Sequence, residues 1–369
     1  MKNGIIFLLL ILIASTVYGC GYEDTITQDS TSTSEEKKLS QNIQREIVDL
    51  SGNVVKVPSA DRLNRVVIVS PPISSIQYSV LKDTSKIIAV HPLTFKNANS
   101  DIIKKSFENL DDVNSSFMKG FNIDTEAILN LNPDIIFYYG QQQKKGLESL
   151  KIPMVDFMKL NDRNPITITT EWEKLMRDIF DVKEGKTIKE EWDRVTEELI
   201  IPLKELDEDR LKGLMIFSNT SNKIMVSGNN TYGDYWLEMS GLTNVADDVN
   251  GEKEVGMEQI YEWNPDIIYV FMGEQALNYQ KGIKGQDWSR VKAIKTNRIY
   301  DVPKGIFSWG APNSDSPLMI KWMTIKNYPS RFKEDELNNT IKRYYENHYN
   351  MTLTDEMLST LLKPNKERE

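Results

Sequence analysis

The chain repeats one stretch of its sequence: Asp124-Thr-Glu-Ala-Ile-Leu-Asn-Leu-Asn-Pro-Asp-Ile-Ile-Phe137 returns as Gly256-Met-Glu-Gln-Ile-Tyr-Glu-Trp-Asn-Pro-Asp-Ile-Ile-Tyr269. The shared pattern is Glu, five residues, then Asn-Pro-Asp-Ile-Ile and an aromatic residue. Each copy predicts a short amphipathic helix, a turn led by proline and a buried strand. Because one unit occurs in both halves, we expect two similar lobes.

Short apolar runs that end in turn residues surround both copies. Such runs are typical of parallel strands buried on both faces, and helical patterns lie between them, so the sequence predicts α/β lobes. The runs are residues 65–71, 86–90, 134–139, 154–157, 213–217, 266–271 and 298–302. Ahead of them, Glu46 to Pro58 alternates in polarity around Ser51-Gly52-Asn53, which predicts a β-hairpin.

Residues 168–206 have apolar residues at helical spacing on both sides of Gly185. This pattern predicts one long helix, kinked at the glycine, or two shorter helices. We therefore expect an N-terminal lobe over 45–166, a bridging helix over 167–206, and a C-terminal lobe with a terminal helix over 207–369. The predicted fold is two similar Rossmann-like lobes joined by that bridge, with a ligand cleft between them.

The N-terminus has the features of a bacterial lipoprotein precursor. Lys2 precedes the apolar run Ile5 to Ala14, which has the length of a signal-peptide core, and small residues lead to Cys20. The prediction is a signal peptide over 1–19, a lipid on the Cys20 thiol, and a flexible polar tether over 20–44. An ordinary signal peptide that happens to precede a cysteine is the alternative. The expected location is the extracytoplasmic face of the cell membrane.

Composition excludes several classes of function. The net charge of −9 disfavours nucleic-acid binding, which requires clustered positive charge. One cysteine and two histidines cannot form a thiolate zinc site or a histidine cluster. The sequence has no Gly-x-Ser-x-Gly elbow and no glycine-rich phosphate loop, so we expect a binding protein and not an enzyme. A metal-cluster oxidoreductase component, which needs more cysteines, and an adhesin or signalling receptor are the alternatives.

The repeat resembles the Glu-x5-(Lys/Asn)-Pro-Asp-(Leu/Ile)-(Ile/Val) element of class III solute-binding proteins, which serve ABC importers of iron-siderophores, haem and cobalamin. Five further segments resemble that family: Asp49 to Pro58, Ser70-Pro71, the Gly233-Asp234 and Gly241 to Ala246 pair, Trp288 to Tyr300, and Tyr345 to Glu356. The resemblance implies two stiff lobes joined by one long helix, with the ligand between them. It also implies an ABC permease with its ATPase as partners, a transported metal chelate, no intrinsic cofactor, and a monomeric protein.

The candidate ligand-binding residues follow the predicted strands or lie in loops that should face the cleft. Ligands of open α/β sheets bind beyond the carboxyl ends of the strands, and aromatic side chains there offer flat area to a planar chelate. The candidates are Ser70, Tyr138, Tyr139, Phe217, Tyr232, Trp236, Phe271, Met272, Phe307 and Trp309. Tyr139 as a phenolate and His91 as an axial ligand are candidates for direct metal contact. Core packing is the alternative for each aromatic residue, and a hydrogen-bonded loop histidine is the alternative for His91.

Few cations occur in these loops, with only Lys304 and Lys223 available. This disfavours a highly charged tris-catecholate chelate and favours haem, a neutral hydroxamate-like chelate, a corrinoid or another metal complex. The expected ligand is an iron chelate, a siderophore or haem, or a related metal complex, and a corrinoid or another metal or oxyanion ligand of the same fold is the alternative. Glu126 and Glu258 begin the helix of each repeat, and the resemblance implies that they dock onto basic pockets of the permease. The alternative is that each glutamate only complements the helix dipole.

Overall fold

The computed structural model describes residues 44–108, 110–120, 122–205 and 210–363. The first lobe contains strands β1 (Gln44–Val48), β2 (Val54–Pro58), β3 (Val66–Ile68), β4 (Ile87–Val90), β5 (Met118–Lys119), β6 (Asn122–Ile123), β7 (Ile135–Tyr138) and β8 (Met154–Asp156). A parallel sheet in the order β4-β3-β7-β8 forms its centre. The predicted hairpin is confirmed as the antiparallel pair β1-β2, whose turn is held by Asp49 through bonds from the backbone N–H groups of Ser51 and Asn53.

Helices of the first lobe lie between its strands, as the alternating pattern predicts. They are α1 (Ile73–Leu81), α2 (Leu93–Lys96), α3 (Ser100–Ser106), α4 (Thr125–Asn130) and α5 (Gly140–Lys145), with short 3-10 turns at Ala60–Arg62 and Leu110–Asp112. Helix α1 is buried on nearly every side. It therefore belongs to the interior of the protein and not to a lobe surface.

The second lobe repeats the parallel arrangement and extends it with antiparallel strands. Its strands are β9 (Lys212–Thr220), β10 (Lys223–Ser227), β11 (Thr243–Asn244), β12 (Glu252–Val255), β13 (Ile267–Gly273) and β14 (Ile299–Asp301). Their order is β12-β10-β9-β13-β14, and β11 pairs with β9. Strands β9, β13 and β14 are parallel, whereas β10 and β12 are antiparallel to their neighbours.

Helices α6 (Pro165–Phe180), α7 (Ile188–Val195) and α8 (Ile201–Lys204) link the lobes, with a π-helical turn at Thr196–Ile200 before α8. The second lobe and the C-terminal region contain α9 (Tyr232–Met239), α10 (Met257–Trp263), α11 (Ala276–Lys281), α12 (Lys292–Lys295), α13 (Ser316–Asn327), α14 (Glu334–Tyr349) and α15 (Asp355–Leu362). Among the described residues, none of the helices combines the length and the apolar character needed to cross a membrane.

The repeated sequence forms the same local structure in both lobes. Asn132 and Asn264, with φ of 45° and 42°, adopt the left-handed conformation that asparagine tolerates; Asn264 is the C-cap of α10, and Asn132 directly follows the C-cap of α4. The aspartate two residues later caps the neighbouring strand: Asp134 Oδ2 accepts from Arg65 N at 2.9 Å, and Asp266 Oδ2 accepts from Lys212 N at 2.8 Å. The two lobes predicted from the repeat are confirmed as separate sheets with equivalent corners.

The segment 167–206, predicted as one long helix kinked at Gly185 or as two shorter helices, follows the second alternative, with α6 and α7 as separate helices. Asp181 ends α6 in a left-handed conformation, Gly185 has a φ of 104°, and a capping box of Thr187 and Glu190 starts α7. Thr169 accepts from Trp192 Nε1 at 2.8 Å and Glu173 accepts from Ile188 N at 2.7 Å. Later positions of α6 thus meet earlier positions of α7, so the two helices are antiparallel.

One hydrophobic cluster passes through both lobes. It includes Ile68 under the first sheet, Met176 on α6, Trp192 on α7, Met215 under the second sheet and Ile320 on α13. Since closely packed interiors deform little, this shared cluster favours small opening motions of the lobes.

Candidate functional site

A cavity of about 380 Å³ lies where the two lobes face each other, and we call it the aromatic cavity. The first lobe supplies the loop that follows β3, and the second lobe supplies the ends of β9 and β13, the start of α9 and the loop before α13. The lining residues are Pro71, Pro72, Asn97, Met215, Phe217, Ser227, Tyr232, Gly233, Glu252, Phe271, Phe307, Gly310 and Ala311. Its volume lies within the range of small-molecule sites, and its walls are mostly apolar, as in such sites.

A second cavity of about 450 Å³ adjoins the first, and we call it the charged cavity. Asn97 and Phe271 line both cavities, so the two are neighbouring compartments of one crevice. The lining residues are Leu93, Lys96, Asn97, Thr220, Val270, Phe271, Met272, Gly273, Glu274, Asp301, Val302, Lys304 and Ser308. The crevice thus combines an apolar compartment with a polar one.

The aromatic cavity is built on the carboxyl ends of two neighbouring parallel strands. Phe217 on β9 and Phe271 on β13 form an edge-to-face pair with ring centroids 5.7 Å apart. Both rings remain partly exposed, and Phe307 lies in the same wall. Phe217 and Phe271 were both predicted because ligands of parallel sheets bind beyond the carboxyl ends of the strands, and the fold brings their rings together. Met272, the residue after Phe271, lines the charged cavity.

Two tyrosines meet across the lobes beside the crevice. The hydroxyl oxygens of Tyr139 and Tyr232 are 3.3 Å apart, and the ring of Tyr139 packs edge-on against Trp172 on α6. Burial raises the pKa of Tyr232 well above its ordinary range, and the neighbouring Tyr139 hydroxyl raises it further. Tyr232 is therefore a neutral phenol, and the pair can donate and accept hydrogen bonds at the lobe interface.

The loop between β14 and α13 is held from below by one buried carboxylate. Asp315 accepts hydrogen bonds from Trp309 Nε1 at 3.0 Å, from the Tyr345 and Tyr349 hydroxyls at 2.6 Å each, and from Ile306 N at 3.2 Å. Burial raises the pKa of Asp315, and these donors oppose that rise. The network fixes the loop that carries Phe307 into the aromatic cavity.

Several candidates from the sequence do not line either cavity. Trp309 is fully buried and donates a hydrogen bond to Asp315. Trp236 is also fully buried, stacks on Trp192, and donates through Nε1 to Gly310 O at 3.0 Å. Both tryptophans therefore support the wall from behind. Tyr138 packs under the first sheet, where burial raises its pKa, and Ser70 is buried at the end of β3.

His91 is also buried, and its Nδ1 accepts a hydrogen bond from Leu93 N at 3.0 Å. Burial lowers the pKa of His91, so the imidazole is neutral at pH 7. Among the described residues, no three His, Cys, Asp or Glu side chains form a group that could hold a metal ion.

The first-lobe residues that line the crevice differ from those predicted from the sequence. Pro71 and Pro72 directly follow Ser70, and Lys96 and Asn97 end the short helix after β4. All four follow the carboxyl end of a parallel strand, β3 or β4, by a few more residues than the predicted candidates do. Lys223, by contrast, is exposed on β10, where it pairs with Glu254 at 3.6 Å and lines neither cavity.

The two repeat glutamates are exposed. Glu126 lies in the first turn of α4 and Glu258 in the first turn of α10, so they occupy equivalent places in the two lobes. Cys20 and the predicted signal peptide and tether lie outside the described residues, except Gln44, which starts β1.

The known proteins that this chain is similar to are binding proteins. The periplasmic binding protein family model matches residues 80–305. A solved periplasmic solute-binding protein from Veillonella parvula is 30% identical, has a TM-score of 0.72, and aligns over 87% of this chain and 97% of its own. The molybdate-binding protein MolA of Haemophilus influenzae is 24% identical over 80% of this chain and 88% of its own length.

An uncharacterized ABC transporter substrate-binding lipoprotein of Bacillus subtilis, YvrC, is 22% identical over 90% of this chain and 99% of its own length. The family match, the two-lobed fold and the crevice between the lobes agree with one another. The chain therefore belongs to the periplasmic binding protein family and is a substrate-binding protein of an ABC transporter.

Proposed function

We propose that this chain captures a metal complex between its lobes and delivers it to the permease of an ABC importer, acting as a receptor and not as an enzyme. The observation that carries the proposal is the aromatic cavity, whose walls contain Phe217, Tyr232, Phe271 and Phe307. Ring side chains offer broad, rigid apolar area to a ligand that has a planar or macrocyclic body. Such a body fits a chelate, with an iron-siderophore, haem or a corrinoid as the candidates.

An oxyanion is the second candidate. The molybdate-binding relative aligns over most of both chains, and the charged cavity contains Lys96 and Lys304. A small oxyanion would occupy only the charged cavity and leave the ring side chains of the aromatic cavity without a function. For that reason we favour a ligand that fills both compartments.

We further propose that a lipid on Cys20 tethers the mature protein to the outer face of the membrane. The basic residue, the short apolar run and the single cysteine that follows it support this location. A tether would keep the receptor near the permease, which raises its effective concentration there.

The absorption spectrum and the intact mass of the protein purified from its host test these proposals. We expect an absorption band of a bound chelate, and an intact mass that corresponds to cleavage before Cys20 plus a lipid. Thermal denaturation with haemin, a ferric trihydroxamate, cyanocobalamin and molybdate then identifies the class. A ligand at a hundredfold excess over its Kd stabilises the folded state by about 2.7 kcal/mol. Stabilisation by molybdate alone would replace the chelate with the oxyanion.

Reversing the charge of Glu126 and Glu258 together is expected to abolish uptake while the ligand affinity stays unchanged. Both side chains are exposed and line neither cavity, and opposite charges on the permease would be repelled by lysines. Transport assays in cells that carry Glu126→Lys/Glu258→Lys give the measurement.

Glu356→Lys is the matched control, because Glu356 is also exposed in the first turn of a helix. A helix-dipole effect would appear in all of these variants as a small loss of stability. Uptake at the wild-type rate in the double variant would contradict docking through these residues.

A further inference from the structure

The charged cavity has a lysine on each of its two walls. Lys96 belongs to the first lobe and Lys304 to the second. Within the described residues, neither ammonium group forms a hydrogen bond or an ion pair, although Asp301 interacts electrostatically with Lys304. Burial lowers the pKa of Lys304, Asp301 raises it, and Lys96 lowers it further. Asp301 thus offsets only part of the cost of half-burying the Lys304 ammonium group, and an anionic group of a ligand would offset more of it.

The carboxylates of the same cavity lie on one wall only. Glu274 and Asp301 both belong to the second lobe, and each already accepts a hydrogen bond, from Asn278 Nδ2 at 2.7 Å and from Ala276 N at 2.9 Å. Among its described lining residues, the first lobe adds only one charged group, Lys96. An anion can therefore contact a positive group on each lobe, whereas a cation would face Lys96 on one side.

A buried hydroxyl adds a donor to the same place. Ser308 lines the charged cavity and is 2% exposed, and its Oγ has no hydrogen-bond partner within the described residues. Buried hydroxyls normally have a partner, so an unpaired one in a cavity wall indicates a group that the ligand would satisfy. The backbone around Ser308 is fixed, because Trp309 is held by Asp315 at 3.0 Å.

We propose that the ligand carries an anionic oxygen group, which binds in the charged cavity between Lys96 and Lys304 and accepts a hydrogen bond from Ser308 Oγ. The inference rests on the proposed function and names the ligand class more closely. The body of the metal complex lies in the aromatic cavity, and its anionic arm passes Phe271, which lines both compartments. Because the lysines belong to different lobes, the arm also stabilises the closed arrangement of the crevice.

Titration calorimetry with molybdate alone tests the anion site without any assumption about the body of the ligand. We expect molybdate to bind the wild-type protein, and Lys96→Met and Lys304→Met each to weaken binding about tenfold, the loss of one charge-assisted contact. Lys223→Met is the matched control and should bind as the wild type does, because Lys223 lies outside the crevice. Absence of molybdate binding by the wild type, or wild-type affinity in both cavity variants, would overturn the proposal.

A second experiment measures the binding of two related chelates. Haemin and its dimethyl ester share one metal and one macrocycle, but only haemin has two free carboxylates. The difference between their affinities therefore measures the contribution of the anionic groups apart from that of the macrocycle. The ester should bind about tenfold more weakly to the wild type, and Lys96→Met should remove that difference. Equal affinity for the two forms would also overturn the inference.

The two hypotheses fail in different ways. If molybdate depends on both lysines but no chelate of any class binds, the proposed function is wrong and the anion site stands. If chelates bind and neither lysine variant changes any affinity, the anionic arm is wrong and the receptor function stands. Lys96 is exposed, so its variant remains informative even if Lys304→Met folds poorly.

Discussion

Asp315→Ala is expected to lower the free energy of unfolding by about 3 kcal/mol or more, because buried donors lose their shared acceptor. The carboxylate is completely buried and accepts from Trp309, Tyr345, Tyr349 and the backbone of Ile306. The Tyr349 hydroxyl keeps one contact, with Ser314 at 2.5 Å, which limits the loss at that residue. The loop that carries Phe307 is attached to this network, so ligand affinity should fall together with stability.

Urea denaturation measures the effect. Asp355→Ala is the control, because Asp355 is exposed and forms an ion pair with Lys342, and surface pairs of this kind contribute below about 1 kcal/mol. Tyr349→Phe removes one donor and should cost about 1 kcal/mol. If Asp315→Ala unfolds at the same urea concentration as Asp355→Ala, the carboxylate does not organise the loop.

Lowering the pH from 6.5 to 4 is expected to remove up to about 3 kcal/mol of stability through His348, at about 1.4 kcal/mol per unit of pKa difference. His348 is fully buried and stacks on Tyr344 with ring centroids 4.1 Å apart. Burial is the main reason that its pKa is lowered to about 4, and Lys82 acts in the same direction, whereas the acidic residues nearby oppose the shift. These acidic residues are Glu173, Asp315 and Glu190.

The direction of the effect follows from where the proton binds. Between pH 6.5 and about 4 the unfolded chain protonates this histidine and the folded protein does not, so acid favours unfolding. The contribution is complete above pH 6.5, is lost as the pH falls, and changes no further below about 4. The stability difference between the wild type and His348→Gln, measured by urea denaturation from pH 7 to 4, isolates this residue from the carboxylates that both proteins share. A difference that stays constant over this range would show that folding leaves the pKa of His348 unchanged.

His348 also lies where three parts of the molecule meet. Its Nδ1 is 3.4 Å from Ser79 Oγ on α1, and its Nε2 is 3.7 Å from Glu191 on α7. Each contact joins α14 to a different element, one in the first lobe and one in the linking segment. Acid is therefore expected to weaken the packing of α14 against α1 and α7.

The strand-end residues show how far sequence patterns lead to the site. Phe217 and Phe271 follow apolar runs that could be read as parallel strands, and parallel strands bring their carboxyl ends to one edge. Tyr138 and Tyr139 show the limit, because neighbouring residues of a strand point to opposite sides. The register of the sheet decides that Tyr138 is buried and that Tyr139 meets Tyr232 across the lobes.

The tryptophans show a second limit. Trp309 stands among Gly and Ser residues in a loop that faces the crevice, as does Phe307. The indole turns inward because Asp315, six residues later, offers its N–H a buried acceptor. A partner of this kind is fixed by the packing of α13 and α14, so local composition does not predict which ring lines the cavity.

The sequence by itself determined the two lobes, the hairpin before them and the equivalent corners of the repeat, because these depend on short-range preferences: apolar runs, turns led by proline, and asparagine that tolerates a left-handed backbone. Only the tertiary structure decided that the linking segment folds back on itself and that Lys96 faces Lys304 across a cavity. Those contacts join residues far apart in the chain, and their energies arise from burial and pairing that exist only after the lobes have packed.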